Sequence, residues 1–238
     1  MTDPQPPGAR TISVVIPALN EEEGIGGVID QIPSKELASR GFAVEIVVVD
    51  GESTDRTREV ARSRGARVIV EPRRGYGRAY KTGFERARGE ILVTADADLT
   101  YPVEQIPALV DELERESLDF LTTDRFARMR EGAMSRKHRI GNWVLSTAMR
   151  VLFLTRVRDS QSGMWVLRRS ALPRLSLTSD GMAYSEEIKI EAFSKLRARE
   201  VPIEYRSRVG EVKLNSWKDG LRNLGFLFRK RFGLTRPE

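Results

Sequence analysis

Two carboxylates one residue apart, in Asp96-Ala97-Asp98, follow the apolar run Ile91–Ala95. A tight turn of this kind can present oxygens to a hard divalent cation, whose remaining ligands are typically diphosphate oxygens and waters. The same turn can instead cap a following helix, since turns favour Asp, so the surroundings decide. A third carboxylate, Asp50, ends the run Val44-Glu45-Ile46-Val47-Val48-Val49, where it could accept hydrogen bonds from a base or ribose. Cationic side chains gather from Arg125 to Arg139. Clustered arginines suit bidentate phosphate binding, the alternative being a basic surface that faces only water. Ser185-Glu186-Glu187 opens a helical pattern, where carboxylates in the first turn offset the helix dipole.

The chain has no cysteine and one histidine, which excludes disulfides, thiolate chemistry and a multi-histidine metal site and makes a reducing cytoplasm the expected compartment. His138 lies within Arg136-Lys137-His138-Arg139 and reads as part of the basic loop rather than as a catalytic group. Gly75-Tyr76-Gly77 before a helix could let the backbone approach a phosphate, with a plain turn as the favoured alternative.

The elements that must position these groups alternate. Strands are expected at Thr11–Pro17, Val44–Val49, Arg67–Val70 and Ile91–Ala95, with one helix that has its cap and first turn in the acidic cluster Asn20–Glu23 and reaches Ile32, and others over Arg56–Arg64 and Ala79–Ala87. Strands alternating with helices imply parallel pairing, and parallel sheets carry ligands at the carboxyl ends of their strands, where Asp50, Asp96 and Asp98 fall. Beyond a helix over Val103–Glu116 and a short strand at Phe120-Leu121, the repeat breaks at the Arg125–Arg139 loop. A helix over Gly141–Leu154, a strand over Ser162–Leu167, a helix over Ser185–Leu196 and a strand over Glu200–Tyr205 then elaborate one sheet. At 238 residues, 40% hydrophobic and 31% charged, the chain reads as one large α/β domain. Residues 1–10 read as a loose tail without a signal peptide, 11–215 as the domain, and 216–238 as a basic amphipathic helix. Val144–Leu154 is too short for a membrane span, which takes roughly 20 residues. The net charge of +6 favours anionic partners, such as nucleotide diphosphates or lipid surfaces. No nucleic-acid motif with interleaved aromatics is present. The C-terminal helix opens a peripheral place on the inner face of the cell membrane, with packing on the domain as the alternative.

Three ordered blocks, Val14-Val15-Ile16-Pro17-Ala18-Leu19-Asn20-Glu21-Glu22, Val47-Val48-Val49-Asp50-Gly51-Glu52-Ser53-Thr54-Asp55 and Asp96-Ala97-Asp98-Leu99-Thr100-Tyr101-Pro102, resemble the signature blocks of family 2 glycosyltransferases. Within that family the chain is similar to the dolichol-phosphate (polyprenyl-phosphate) mannosyltransferase branch, over residues 12–215. The resemblance implies a single-domain GT-A fold, a Rossmann-like mixed, mostly parallel sheet flanked by helices. It also implies inverting transfer of a hexose from GDP-mannose or a UDP-hexose to a polyprenyl or dolichyl phosphate. It places donor contacts on Pro17, Leu19, Glu21, Val48, Asp50, Asp96, Ala97, Asp98 and Arg125, and Mg²⁺ or Mn²⁺ on Asp96 and Asp98. Arg136, Arg139, Arg208 and Lys213 match positions that clamp the acceptor phosphate or the diphosphate. Thr100 departs from the pattern, standing where the mannosyltransferases tend to carry Gln. For a family member acting on an alcohol, Glu187, or Glu186, is the expected base. A nucleotidyltransferase, which also uses such sheets and carboxylates, would instead release pyrophosphate.

Overall fold

The run Ile12-Ser13-Val14-Val15-Ile16 forms the centre of strand β1 (Arg10–Ala18), whose residues alternate between the two faces of a sheet. Ile12, Val14, Ile16 and Ala18 enter one apolar cluster, and Val15 enters another on the opposite face. The computed structural model describes residues 10–210 and 216–234. In chain order, β1 is followed by α1 (Ile25–Gln31), α2 (Ser34–Ser39), β2 (Phe42–Asp50), α3 (Thr57–Ser63), β3 (Arg67–Val70), α4 (Tyr76–Arg86) and β4 (Ile91–Thr94). The second half holds α5 (Ile106–Arg115), β5 (Phe120–Met129), α6 (Arg136–Phe153), β6 (Trp165–Arg168), α7 (Tyr184–Lys195), β7 (Ala198–Tyr205) and α8 (Ser216–Arg231).

The strands form one seven-stranded sheet in the order β3-β2-β1-β4-β6-β5-β7. Only β6 runs against its neighbours, β4 and β5, and every other pairing is parallel. Parallel strands need crossovers that cover both faces. Apolar residues of α1, α2, α3 and α5, among them Ile25, Leu37, Ala61 and Ile106, cover one face. Tyr80 and Phe84 of α4 and Tyr184 and Ile188 of α7 cover the other, against Val47, Val49 and Trp165. A third cluster, Met149, Val157, Ile190 and Leu227, joins α6, α7 and α8.

The elements expected from the sequence are present, with five differences. The helix after β1 begins at Ile25 rather than in the acidic cluster. The amides of Glu21 and Glu22 instead donate to Thr57 Oγ1 (2.8 Å) at the start of α3 and to Asp55 Oδ2 (3.2 Å) of the loop before it. The expected Arg125–Arg139 loop is a strand as far as Met129, because β7 pairs along it through Arg128↔Glu204 and Met129↔Tyr205; Arg136 already belongs to α6. The expected Val103–Glu116 helix starts as a 3-10 turn over Val103–Gln105 before α5. Arg10, assigned to the tail from sequence, is the first residue of β1, paired with Phe42 across the ladder and 3.2 Å from Glu90. The short helix α2 was not expected at all, since it buries a single residue, Leu37, and so has no apolar periodicity.

Candidate active site

The loops leaving β1, β2 and β4 meet at the carboxyl edge of the sheet, and each carries a residue with a left-handed backbone: Asn20 (φ 52°), Glu52 (φ 65°) and Leu99 (φ 65°). Asn tolerates this region; Glu and Leu adopt it only where surrounding contacts enforce it. The first two loops are laced together by Gly51 N to Ala18 O (2.9 Å), Asn20 N to Ser53 Oγ (2.9 Å) and Thr54 N to Asn20 Oδ1 (2.7 Å). Asp50 is fully buried beneath them. Its Oδ1 accepts from Ser53 N at 3.0 Å and lies 3.6 Å from Arg58 Nε, while Oδ2 has no hydrogen-bond partner among the described residues. An unsatisfied buried carboxylate oxygen is costly, and a ribose or base donor would satisfy it.

The third loop holds the carboxylate pair. Asp98, 4% exposed, accepts at Oδ1 from Thr100 Oγ1 (2.6 Å) and Thr100 N (3.2 Å), and its Oδ2 lies 2.9 Å from Arg208 Nε. Asp96 Oδ1 accepts from Tyr76 Oη at 3.3 Å. Burial, reinforced by the charge of Asp98, pushes the Asp96 carboxyl up to about 7. A cation beside the pair would remove that mutual penalty. Among the described residues no three of His, Cys, Asp or Glu gather to form an all-protein metal cage. Two hard carboxylates with open oxygen positions are the donor set that fits Mg²⁺ or Mn²⁺ shared with a diphosphate. The segment after β7 closes this side: Val209 N donates to Asp98 O (3.0 Å) and Arg206 N to Thr100 O (3.1 Å).

Residues 13–176 match the family model described as "Glycosyl transferase family 2". The chain belongs to glycosyl transferase family 2. Among similar proteins, the low-salt glycan biosynthesis hexosyltransferase Agl6 of Haloferax volcanii is 38% identical over 222 residues, which are 92% of this chain and 53% of that protein. The chain thus spans about half the length of Agl6. A dolichyl-phosphate hexose transferase of the same organism is 36% identical over 209 residues, 88% of this chain and 89% of that one. Glucosyl-3-phosphoglycerate synthase of Mycobacterium tuberculosis, crystallised with Mn²⁺, UDP-glucose and phosphoglyceric acid, superposes with a TM-score of 0.77 at 28% identity, over 95% of this chain and 81% of that one. The fold of this family 2 domain is therefore that of the GT-A glycosyltransferases, as the sequence blocks imply.

Within the glycosyltransferase domain, Pro17, Leu19, Glu21, Asp50, Asp96, Ala97 and Asp98 lie on strand ends and loops of one sheet edge. Val48 lies on β2 with its side chain fully buried in the core and its backbone flanked by β1 and β3, so it offers a ligand neither a side chain nor a free strand edge. Arg125 is buried on β5, where Asp159 takes its Nε (2.7 Å) and one terminal nitrogen (2.9 Å); the guanidinium also stacks 5.2 Å from the Tyr205 ring. The full guanidinium fork expected for a donor diphosphate is thus committed elsewhere, leaving one terminal amino group and a positive charge that already bears on Asp96. Arg136 and Arg139 stand exposed in the first turn of α6, capped by Ser135, whose Oγ accepts from His138 N (3.3 Å). Cations in a first turn oppose the helix dipole, an arrangement that a bound anion relieves. Lys213 lies outside the described residues.

Glu187 is placed differently from the expected base. Fully buried, it accepts from Thr178 Oγ1 (2.8 Å), Thr178 N (2.9 Å) and Ser179 N (2.8 Å), and lies 3.0 Å from Lys230 Nζ of α8. Those bonds occupy it as a clamp between a loop and α8. Its neighbour Glu186, also fully buried, accepts only from Gln161 Nε2 (2.7 Å), leaving Oε2 without a hydrogen-bond partner among the described residues. Burial pushes the Glu186 carboxyl up to about 8.

Two site residues escaped the sequence reading. Tyr76 reaches Asp96 because Gly75, at φ 140°, lets the backbone of residue 180 approach so closely that a Cβ would stand 2.2 Å from Asp180 O. The paired glycines around Tyr76 were the available signal, and they are a docking surface rather than a plain turn. Gly163 is the second: a Cβ there would lie 2.3 Å from Tyr76 Oη and 3.4 Å from Asp96 Oδ1.

Proposed function

We propose that this glycosyltransferase transfers a hexose from a nucleotide sugar, GDP-mannose or a UDP-hexose, to a polyprenyl phosphate with inversion at the anomeric carbon. The observation that carries the reading is the Asp96/Asp98 pair on one sheet edge with Asp50, faced by Arg208. The named activity of the dolichyl-phosphate hexose transferase relative supports the acceptor class. Asp98 and Asp96 would hold Mg²⁺ or Mn²⁺, which when bound supplies charge neutralisation on the leaving nucleoside diphosphate. Asp50, through its unpartnered Oδ2, orients the nucleoside. An acceptor phosphate oxygen, already largely anionic at pH 7, forms the new bond to the anomeric carbon as the bond to the diphosphate breaks, and the diphosphate departs with that electron pair. No protein base is needed; Arg136, Arg139 and Lys213 position the acceptor by charge.

Among the described residues no helix is long and apolar enough to cross a membrane. The reading puts the domain peripherally on a lipid surface through α6, α8 and the residues that follow them, where Trp143, Leu154, Phe228 and Phe232 are exposed. A second reading, transfer to a small alcohol, is favoured by the partnerless Oε2 of Glu186 and by the phosphoglyceric acid bound in the mycobacterial neighbour. Incubating the protein with GDP-mannose, UDP-glucose or UDP-GlcNAc and Mn²⁺, with and without polyprenyl phosphate, tests the proposal. The expected product is a glycosylated lipid phosphate and a nucleoside diphosphate, lost in Asp98→Ala with the fold retained. Full transfer by Asp98→Ala in EDTA would sink the metal reading, and transfer only to alcohols, abolished by Glu186→Gln, would move the assignment to the second reading.

A further inference from the structure

We propose that Arg208 is a resident counter-cation of Asp98: it competes with the divalent cation for that carboxylate and gives it up to the donor's diphosphate, so that metal and nucleotide bind cooperatively. The inference rests on Asp98 being a metal ligand. Thr100 occupies Asp98 Oδ1 twice, through its hydroxyl and its amide, so Oδ2 is the oxygen best placed for a cation. That is the oxygen 2.9 Å from Arg208 Nε. The arginine is delivered there by the backbone on either side, since Arg206 N bonds to Thr100 O, Val209 N to Asp98 O, and the Arg206 guanidinium pairs with Glu104. A terminal nitrogen of Arg208 also lies 3.6 Å from Glu21 Oε1, so the guanidinium bridges the metal turn and the first nucleotide loop.

Two cations cannot share one carboxylate oxygen without mutual repulsion. A metal alone must displace the guanidinium and leave it facing carboxylates whose charge is already neutralised. A diphosphate alone must draw the guanidinium away and leave Asp98 bare beside Asp96. Bound together, the two ligands exchange one internal ion pair for two external ones, each suited to its partner: carboxylate with metal, and guanidinium fork with phosphate. The coupling is reciprocal by linkage. With its side chain 26% exposed, Arg208 is free to change partners without unpacking a core.

Titrating Mn²⁺ into the full chain, read by the electron paramagnetic resonance signal of free Mn²⁺ with and without UDP or GDP, tests this independently of turnover. Arg208→Gln should bind Mn²⁺ alone about tenfold more tightly than the parent, and the added tightening by nucleotide should shrink. Arg208→Lys, which keeps a cation, should stay near the parent. A glutamine variant that binds Mn²⁺ alone no better than the parent would falsify the competition, as would a lysine variant that tightens as much as glutamine. If the parent binds no Mn²⁺ even with nucleotide, and Asp98→Asn changes nothing, it is the metal reading itself that fails.

Discussion

Glu186 and Glu187 begin the same helix and are both fully buried, yet one accepts four bonds and the other leaves an oxygen unpaired. For Glu186 the burial penalty dominates, offset in part by Lys189 and Gln161, so its folded pKa stands at about 8 against an ordinary 4.5. The folded protein therefore holds a proton that the unfolded chain releases as pH rises past 4.5. The stability from that proton is complete at low pH and is lost as pH climbs through 8. Glu186→Gln should flatten the fall, so that the variant gains on the parent in urea midpoint between pH 5 and pH 9; an unchanged difference across that range would contradict the assignment. Gly163→Ala is the second test at this scale. Its Cβ must push Tyr76 off Asp96, costing on the order of 1–3 kcal/mol by overpacking and lowering Mn²⁺ affinity. A variant matching the parent in both would show that the close approach is dispensable.

Helix α8 is held to the domain by groups from several elements. Lys230 lies 3.0 Å from Glu187 and 2.8 Å from Glu191, while Asn223 Nδ2 donates to Gln161 Oε1 at 3.1 Å and Leu227 packs with Met149 of α6. Both carboxylates lie on α7, so Lys230→Met leaves buried negative charge with fewer partners. On the order of 3 kcal/mol should be lost, seen as a lower urea midpoint. Double replacement with Glu187→Gln should recover part of that loss. The helix was legible in the sequence as a basic amphipathic pattern, but its anchors were not, because Lys230, Glu187 and Gln161 meet only when α7 and α8 pack. The strand register of β5 was hidden for the same reason. Arg125 to Met129 carries the charges of a loop and becomes strand because β7 supplies the hydrogen bonds.

Across the whole molecule, the reacting edge of the sheet and the α6–α8 surface divide the work of the proposed enzyme. Exposed Trp143, Val151, Leu154, Leu221, Phe228 and Phe232 lie with Arg222, Arg229 and Arg231 on, or directly after, two helices that share a core cluster. Each arginine near an anionic bilayer contributes about 1 kcal/mol, attenuated by salt. The protein should cosediment with vesicles containing anionic lipid at low salt and dissociate at high salt. Phe228→Ser with Phe232→Ser should weaken binding without altering transfer to a water-soluble short-chain acceptor. Failure of the parent to bind such vesicles would remove the peripheral assignment.

The sequence by itself determined the alternating strands, the sheet edge on which Asp50, Asp96 and Asp98 stand, and the family. These follow from short continuous apolar runs bounded by turns and from contiguous motifs, which are local patterns. Only the tertiary structure decided what each charge does. It paired Arg125 with Asp159 and Arg208 with Asp98, closed Glu187 into a clamp while leaving Glu186 an open oxygen, and brought Tyr76 over Gly163 to Asp96. Such pairings depend on side chains from distant segments sharing a low-dielectric interior, and no residue's type or spacing along the chain encodes which of several equivalent charges will be nearest.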